Sequence, residues 1–420
     1  MPSSRLTTFI LVGLVLGIVA GYVSFSLFPH GSARFAEIAA LLPMAFLRLI
    51  KMIIAPLVFS TLVVGIGKMG DSATVGRIGG KALGWFIFAS LISLTLGLIL
   101  VQLFEPGKAM HLPIPEVTAK SGVEANALSL ETFISHTIPT SLIDAMARNE
   151  ILQIVVFSIF FGTAMAAIGE RSKPLHDALD SAAHVMLKVT AYVMNFAPFA
   201  VFGALASIVA KEGLDILRVY GIFMGEFYIG VLILWIVLIG LGWAVIGRRV
   251  LNLIRRMRGP VILAFSTASS ESAYPKTLEE LERFGCSNRI ASFVLPMGYS
   301  FNLDGSMMYC TFAVMFIAQV YGIELSIGQQ VMMLAILMLT SKGIAGVPRA
   351  SLVVIAATLS QFNIPEAGLL LLLGIDHFLD MGRSATNVIG NSIATAVVSK
   401  WEGEWKPQDE TEGEVRLASG

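Results

Sequence analysis

Apolar runs of roughly 20 residues, nearly free of charge, recur along the chain, and each is long enough to cross a bilayer as a helix. Examples are "LTTFILVGLVLGIVAGYVSFSLF" at 7–29 and "FYIGVLILWIVLIGLGWAVIG" at 227–247. Hydropathy places spans near 7–29, 36–67, 82–104, 134–169, 176–210 and 216–247. Two long apolar regions follow, then a final helix ending near Lys400. The opening run is too long for a secretory signal and no small-residue cleavage site closes it, so it reads as a retained span. Segment 105–132, rich in Pro and Glu, lacks apolar periodicity and reads as a loop.

Two later segments resist a simple spanning assignment. In "VILAFSTASSESAYPKTLEELERFG" (261–285) and "MMLAILMLTSKGIAGVPRASLVVIAATLS" (332–360), small polar residues and a proline interrupt an apolar stretch halfway. Gly343, Gly346 and Pro348 stop the second after about 10 residues, short of a crossing. Both read as re-entrant hairpins, whose non-helical tips survive at membrane depth only where protein or a water-filled cavity satisfies their amides. The alternative is a pair of kinked ordinary spans.

Polar residues recur at Asp376, Asp380, Arg383, Asn387 and Asn391 in "GIDHFLDMGRSATNVIGN" (374–391), with the spacing of one helix face. Each ionised group at the bilayer centre costs on the order of 3 kcal/mol, so the stripe demands partners or a function. A guanidinium can fork two hydrogen bonds onto a carboxylate, and a nearby aspartate can accept an ammonium group; an acidic amino acid carries both. Equally, Asp380 and Arg383 at i,i+3 can pair with each other until a ligand exchanges for that pair. Asn302, Asp304 and Ser306 in "YSFNLDGSMMY" (299–309) place further polar groups inside an apolar run. Ser269 and Ser270, with neighbouring amides and half-helix N-termini, would suit a carboxylate. His377 lies off the stripe and reads as structural.

Composition agrees with a membrane protein: 55% of the 420 residues are hydrophobic, 14% are charged, and mean hydropathy is +0.78. The net charge of zero offers nothing to nucleic acid. Lys68, Arg77 and Lys81 after the second span, and Arg248, Arg249, Arg255, Arg256 and Arg258 after the sixth, put both ends and both chain termini in the cytoplasm. Cys286 and Cys310 support neither a disulfide framework nor a metal site, and no cofactor is called for. A channel would need rings of lining charge, which are not visible. An intramembrane hydrolase built on Ser269 would need a histidine base, and no motif ties any of the six histidines to it.

"SSES" followed by Pro275, "NLDGS", "SKGIAGVP" and "DMGRSATNVIGN" occur in the order and approximate spacing of the glutamate/aspartate and C4-dicarboxylate:cation symporter family, which the chain resembles over nearly its whole length. "FLRLIKMIIAPLVFSTLVVG" and "IPTSLIDAMARNEILQIVVFSIFFG" resemble that family's second and fourth spans. The resemblance implies an all-α polytopic protein of the cell (inner) membrane, with eight transmembrane helices plus two hairpins. It further implies a homotrimer in lipid, with transport domains that move like elevators past a fixed scaffold. The scaffold would comprise 1–75 and 134–215. The transport domain would comprise 76–133 (span 3 and an extracellular loop) and 216–400, with hairpins near 255–287 and 329–362. Residues 401–420 would be a mobile cytoplasmic tail.

Carried over by motif, substrate contacts are expected from Ser269, Ser270, Ser306, Gly346, Val347, Asp380, Arg383, Ser384 and Asn387. Cation coupling is expected from Asn302, Asp304, Asp376, Asn391 and Glu271, although Glu271 reads equally as a cytoplasm-facing cap. Sodium-coupled members carry an aspartate at the position of Asn391 and Tyr and Thr at those of Phe86 and Ala89. Those losses favour a proton over sodium as the coupling cation, since a proton needs only a buried carboxylate. Relatives that carry C4-dicarboxylates lack an acid at the position of Asp380, which points here to glutamate or aspartate. Arg349 stands where many members have glycine, and either widens the choice, cystine included, or snorkels to the surface.

Overall fold

A computed structural model describes residues 3–67, 72–109, 115, 134, 135, 137–213, 216–340, 350–373 and 375–406. The principal helices are α1 (Ser3–Leu27), α2 (Pro29–Gly67), α3 (Ser72–Phe104), α4 (Ile151–Ile168), α5 (Lys173–Met194), α6 (Ala197–Glu212) and α7 (Ile216–Ile246). They continue with α8 (Arg258–Thr267), α9 (Tyr274–Arg283), α10 (Asn288–Phe301), α11 (Asp304–Val320), α12 (Ile327–Thr340), α13 (Ala350–Gln361) and α14 (Asp376–Trp401). Among the described residues, six stretches are long and apolar enough to cross a membrane. The chain is an all-α, multi-pass membrane protein.

The helices pack in two groups. One comprises α1, α2, α4, α5 and α6; in the other, α14 is surrounded by α7, α8, α10 and α11, with α3 and α13 against α11. The groups meet where α10 lies on α2 and α4, and where α8 lies on α6 and α1. Helices α8 and α9 have ten residues each, about 15 Å and so half the hydrocarbon thickness, which fits a re-entrant hairpin. Ala268 turns its tip with φ 50°.

Four sequence expectations need correction. The run 176–210 is two helices: Pro198 lacks an amide proton and its ring crowds the carbonyl four residues back, so α5 ends at Met194 and α6 starts anew. The run 134–169 is also divided, because Asn149 takes a left-handed conformation (φ 56°) between a short helix Leu142–Arg148 and α4. The resemblance also implies that "NLDGS" is an unwound break, but the break spans only Asn302 and Leu303; Asp304 already opens α11, and the Leu303 carbonyl accepts from the Met307 amide.

The fourth correction concerns the tail, whose first residues 401–406 are docked. The Glu402 side chain is 3% exposed and takes Lys81 Nζ at 2.6 Å and Arg77 Nη2 at 2.9 Å. Glu404 pairs with Arg289, and Trp405 stacks on Phe284 at 5.4 Å with Arg249 and Lys400 over its ring. Burial opposes ionisation of Glu402, but hydrogen bonds and charge from Arg77 and Lys81 outweigh it and hold the carboxyl below its usual range.

Candidate functional site

Helix α14 buries the polar stripe read from the sequence, and the two sides of the α10–α11 break supply its partners. Asp376 accepts a hydrogen bond from the Tyr309 hydroxyl at 2.7 Å. Asp380 Oδ1 lies 2.7 Å from Arg383 Nε, without the alignment a hydrogen bond requires. Arg383 Nη1 donates to Ser306 Oγ at 3.0 Å, and Asn387 Nδ2 reaches the same oxygen at 3.3 Å. Asn387 Oδ1 in turn accepts from the Gly305 amide at 2.9 Å, satisfying a first-turn donor of α11. One turn on, Asn302 Nδ2 donates to Asn391 Oδ1 at 3.1 Å.

Asp304 is fully buried at the same crossing. The Ser93 hydroxyl of α3 stands 3.2 Å from Asp304 Oδ1 and 2.9 Å from the Ala89 carbonyl, and its single proton can serve only one of them at a time. When the carboxylate is ionised, Ser93 can turn its proton to it; when it is protonated, Ser93 can accept from it and donate to Ala89. Ser93 can therefore serve Asp304 Oδ1 either as donor or as acceptor.

Close approach of main chains makes this packing possible. A Cβ on Gly390 would strike the Asp304 carboxylate, and one on Gly305 would strike the Arg383 carbonyl. Neither glycine, nor Ser93, nor Tyr309 stood out in the sequence. Lone small residues in apolar helices carry no periodic signal, and Ser93 reads like any serine bonded to the carbonyl four residues back.

The remaining expected residues are distributed as follows. Ser269 and Ser270 form the tip of the α8–α9 hairpin, half-buried. The Ser269 amide is committed to the Ala264 carbonyl and its hydroxyl accepts from the Ser272 amide, while the Ser270 carbonyl accepts from Tyr299. Glu271, in the turn after them, lies within electrostatic reach of Lys51 and Arg383. Ser384 is buried, and its hydroxyl has no hydrogen-bond partner among the described residues. Gly346, Val347 and Arg349 lie outside the described residues. The start of α13 sits beside Cys310, whose thiol approaches the Ser351 carbonyl at 3.9 Å. Both cysteines are free and buried.

The structure thus brings together an aspartate, an arginine, two asparagines and a serine on two helix segments, within the buried centre of one packing group. That arrangement can hold a small anion bidentately beside an ammonium group. The chain is 40% identical over 406 residues, 95% of each chain, to a proton/sodium-glutamate symport protein of Geobacillus stearothermophilus. It is 38% identical over 405 residues to a C4-dicarboxylate transport protein of Bacillus subtilis (strain 168), covering 96% of this chain and 93% of that one. A C4-dicarboxylate transport protein of Geobacter sp. (strain M21) is 40% identical over 388 residues, 89% of this chain and 88% of its own. Since the family model also matches residues 6–401, the chain belongs to the sodium:dicarboxylate symporter family and is a transporter.

Proposed function

We propose that this transporter takes up glutamate or aspartate by symport with protons. The observation that carries the substrate class is the Asp380–Arg383 pair on α14, with Asp380 buried and Arg383 half-buried beside Ser306 and Asn387. Arg383 would grip the side-chain carboxylate, and Asp380, released from its misaligned contact, would take the amino group. Ser269 and Ser270 at one hairpin tip, and Gly346 and Val347 at the other, would close on the remaining carboxylate.

The case for protons rests on Asp304, a fully buried carboxylate whose Oδ1 faces a hydroxyl able to donate or accept, and on Asn391, a neutral group that stands one hydrogen bond from Asn302. Asp376 and Glu271 are further carboxylates that a proton could occupy. Movement would follow the two packing groups, with the scaffold at α1, α2, α4, α5 and α6 fixed in a trimer. In the present state the first hairpin lies against α1, α2 and α6, whereas the arms of the second lie on α3 and α11. With the hairpin after the Arg-rich cytoplasmic loop sealed in this way, the site would face outward.

A second reading, C4-dicarboxylate transport, has support from the two relatives of that name at similar identity. Uptake of labelled aspartate, glutamate, succinate and cystine into proteoliposomes, under separate pH and sodium gradients, decides between them. The expected result is aspartate or glutamate accumulation driven by an inward proton gradient without sodium. Predominant succinate uptake would overturn the role of Asp380, and strict sodium dependence would overturn the coupling assignment.

A further inference from the structure

Helices α7 and α14 run side by side, joined by two side-chain bonds seven residues apart on α7 and eight apart on α14. Tyr228 hydroxyl donates to the Phe378 carbonyl at 2.6 Å, and seven residues later Trp235 Nε1 donates to Thr386 Oγ1 at 2.8 Å. The second bond lies beyond the Asp380–Arg383 turn. The first lies at its threshold, two residues before Asp380.

The Phe378 carbonyl already faces the Gly382 amide within the helix, so the hydroxyl uses its second lone pair. The ring reaches that depth because residue 382 is glycine; a Cβ there would come within 2.9 Å of Tyr228 Cε1. On its other side Tyr228 meets Phe265 of the first hairpin at 6.3 Å between ring centroids. One side chain therefore ties together α7, the hairpin arm that leads to Ser269, and the turn that carries both charged groups.

The Asp380–Arg383 contact, being short but misaligned, does not fix its own direction. Ser306 and Tyr309 hold this part of α14 from the α11 side, and the Tyr228 bond to the Phe378 carbonyl holds it from the α7 side. We infer that Tyr228 is a positioning residue for substrate binding: its hydrogen bond to the Phe378 carbonyl orients the Asp380–Arg383 turn toward the site. This rests on the reading of Arg383 as the substrate's partner.

The test compares Tyr228→Phe, which keeps the ring and removes one bond, with Thr386→Val, which removes the second rung of the same helix pair. Uptake kinetics in proteoliposomes and the rise in Tm on adding aspartate or glutamate are measured for both, with Arg383→Ala as control. Tyr228→Phe is expected to raise the half-saturation concentration at least fivefold with little change in maximal rate, and to shrink the substrate-induced Tm rise. Thr386→Val should leave both near wild type. Gly382→Ala, which keeps the hydroxyl but presses the ring that carries it away from the Phe378 carbonyl, should reproduce the Tyr228→Phe kinetics. Wild-type half-saturation in Tyr228→Phe, or equal effects in Tyr228→Phe and Thr386→Val, would overturn the inference. If Arg383→Ala is impaired in those cases, the substrate-site reading still stands; if Arg383→Ala binds normally, that reading falls first and the inference with it.

Discussion

Replacing Gly305 by alanine sets two effects of opposite sign against each other. Gly305 is in the first turn of α11, where alanine's higher helix propensity would stabilise by up to about 1 kcal/mol. Against this, the new Cβ would lie 2.9 Å from both the Cα and the carbonyl carbon of Arg383. Carbon atoms prefer about 3.5–4.0 Å and the Arg383 carbonyl oxygen lies nearer still, so α11 and α14 must part by roughly 1 Å or more. Both neighbours are main-chain atoms and no rotamer change relieves them, so the cost falls near the upper end of overpacking, about 3 kcal/mol. The balance is a loss of about 2 kcal/mol. Parting the helices also carries Arg383 and Asn387 away from Ser306, and a displacement of this size at a binding site costs up to about 100-fold in rate. Gly305→Ala should therefore show a lower Tm in detergent and aspartate or glutamate uptake reduced about 10- to 100-fold. A higher Tm with normal uptake would show that propensity wins and that the helices do not touch as described.

Asp304→Asn removes the titratable proton and keeps the shape, so accumulation driven by a pH gradient should vanish while exchange of internal for external substrate persists; gradient-driven accumulation at wild-type level would contradict the role of Asp304. Ser306→Ala strips Arg383 Nη1 and Asn387 Nδ2 of their shared acceptor; at about 1.5–3 kcal/mol for the charged bond, substrate should bind about 10- to 100-fold more weakly by calorimetry. Glu402→Gln should lower Tm at neutral pH. Because the folded pKa of Glu402 is depressed, its contribution is present above the ordinary carboxylate range and is lost as pH falls through the folded pKa. The Tm difference between wild type and Glu402→Gln should accordingly close in acid, and a difference that is constant with pH would refute the ion-pair explanation.

The α14 stripe was legible because a helix repeats every 3.6 residues and burial left its charges no solvent, so period and hydropathy together singled it out. The first hairpin was legible for a related reason, since polar residues interrupt an apolar run too short to cross. What the sequence could not show is which residues distant in the chain meet. Ser93 and Asp304 are 211 positions apart, Tyr228 and Phe378 are 150, and no local pattern joins them. Ser60, Ser158 and Ser392 all bond to carbonyls four residues back just as Ser93 does, so only coordinates distinguish the one that also reaches a carboxylate. The tail was misread for a similar reason. Its acidic composition resembles a solvated end, yet Glu402 and Glu404 are neutralised by basic residues of α3 and α10.

Arg383 is the group expected to grip a substrate carboxylate, and calorimetric titration of purified wild type and Arg383→Ala with aspartate, glutamate and succinate tests that directly. Wild type should bind at least one acidic amino acid, with affinity falling at least 100-fold in Arg383→Ala although the variant remains folded. Undiminished affinity in the variant would mean that the half-buried guanidinium serves Asp380 and Ser306 alone, and that the substrate is held elsewhere.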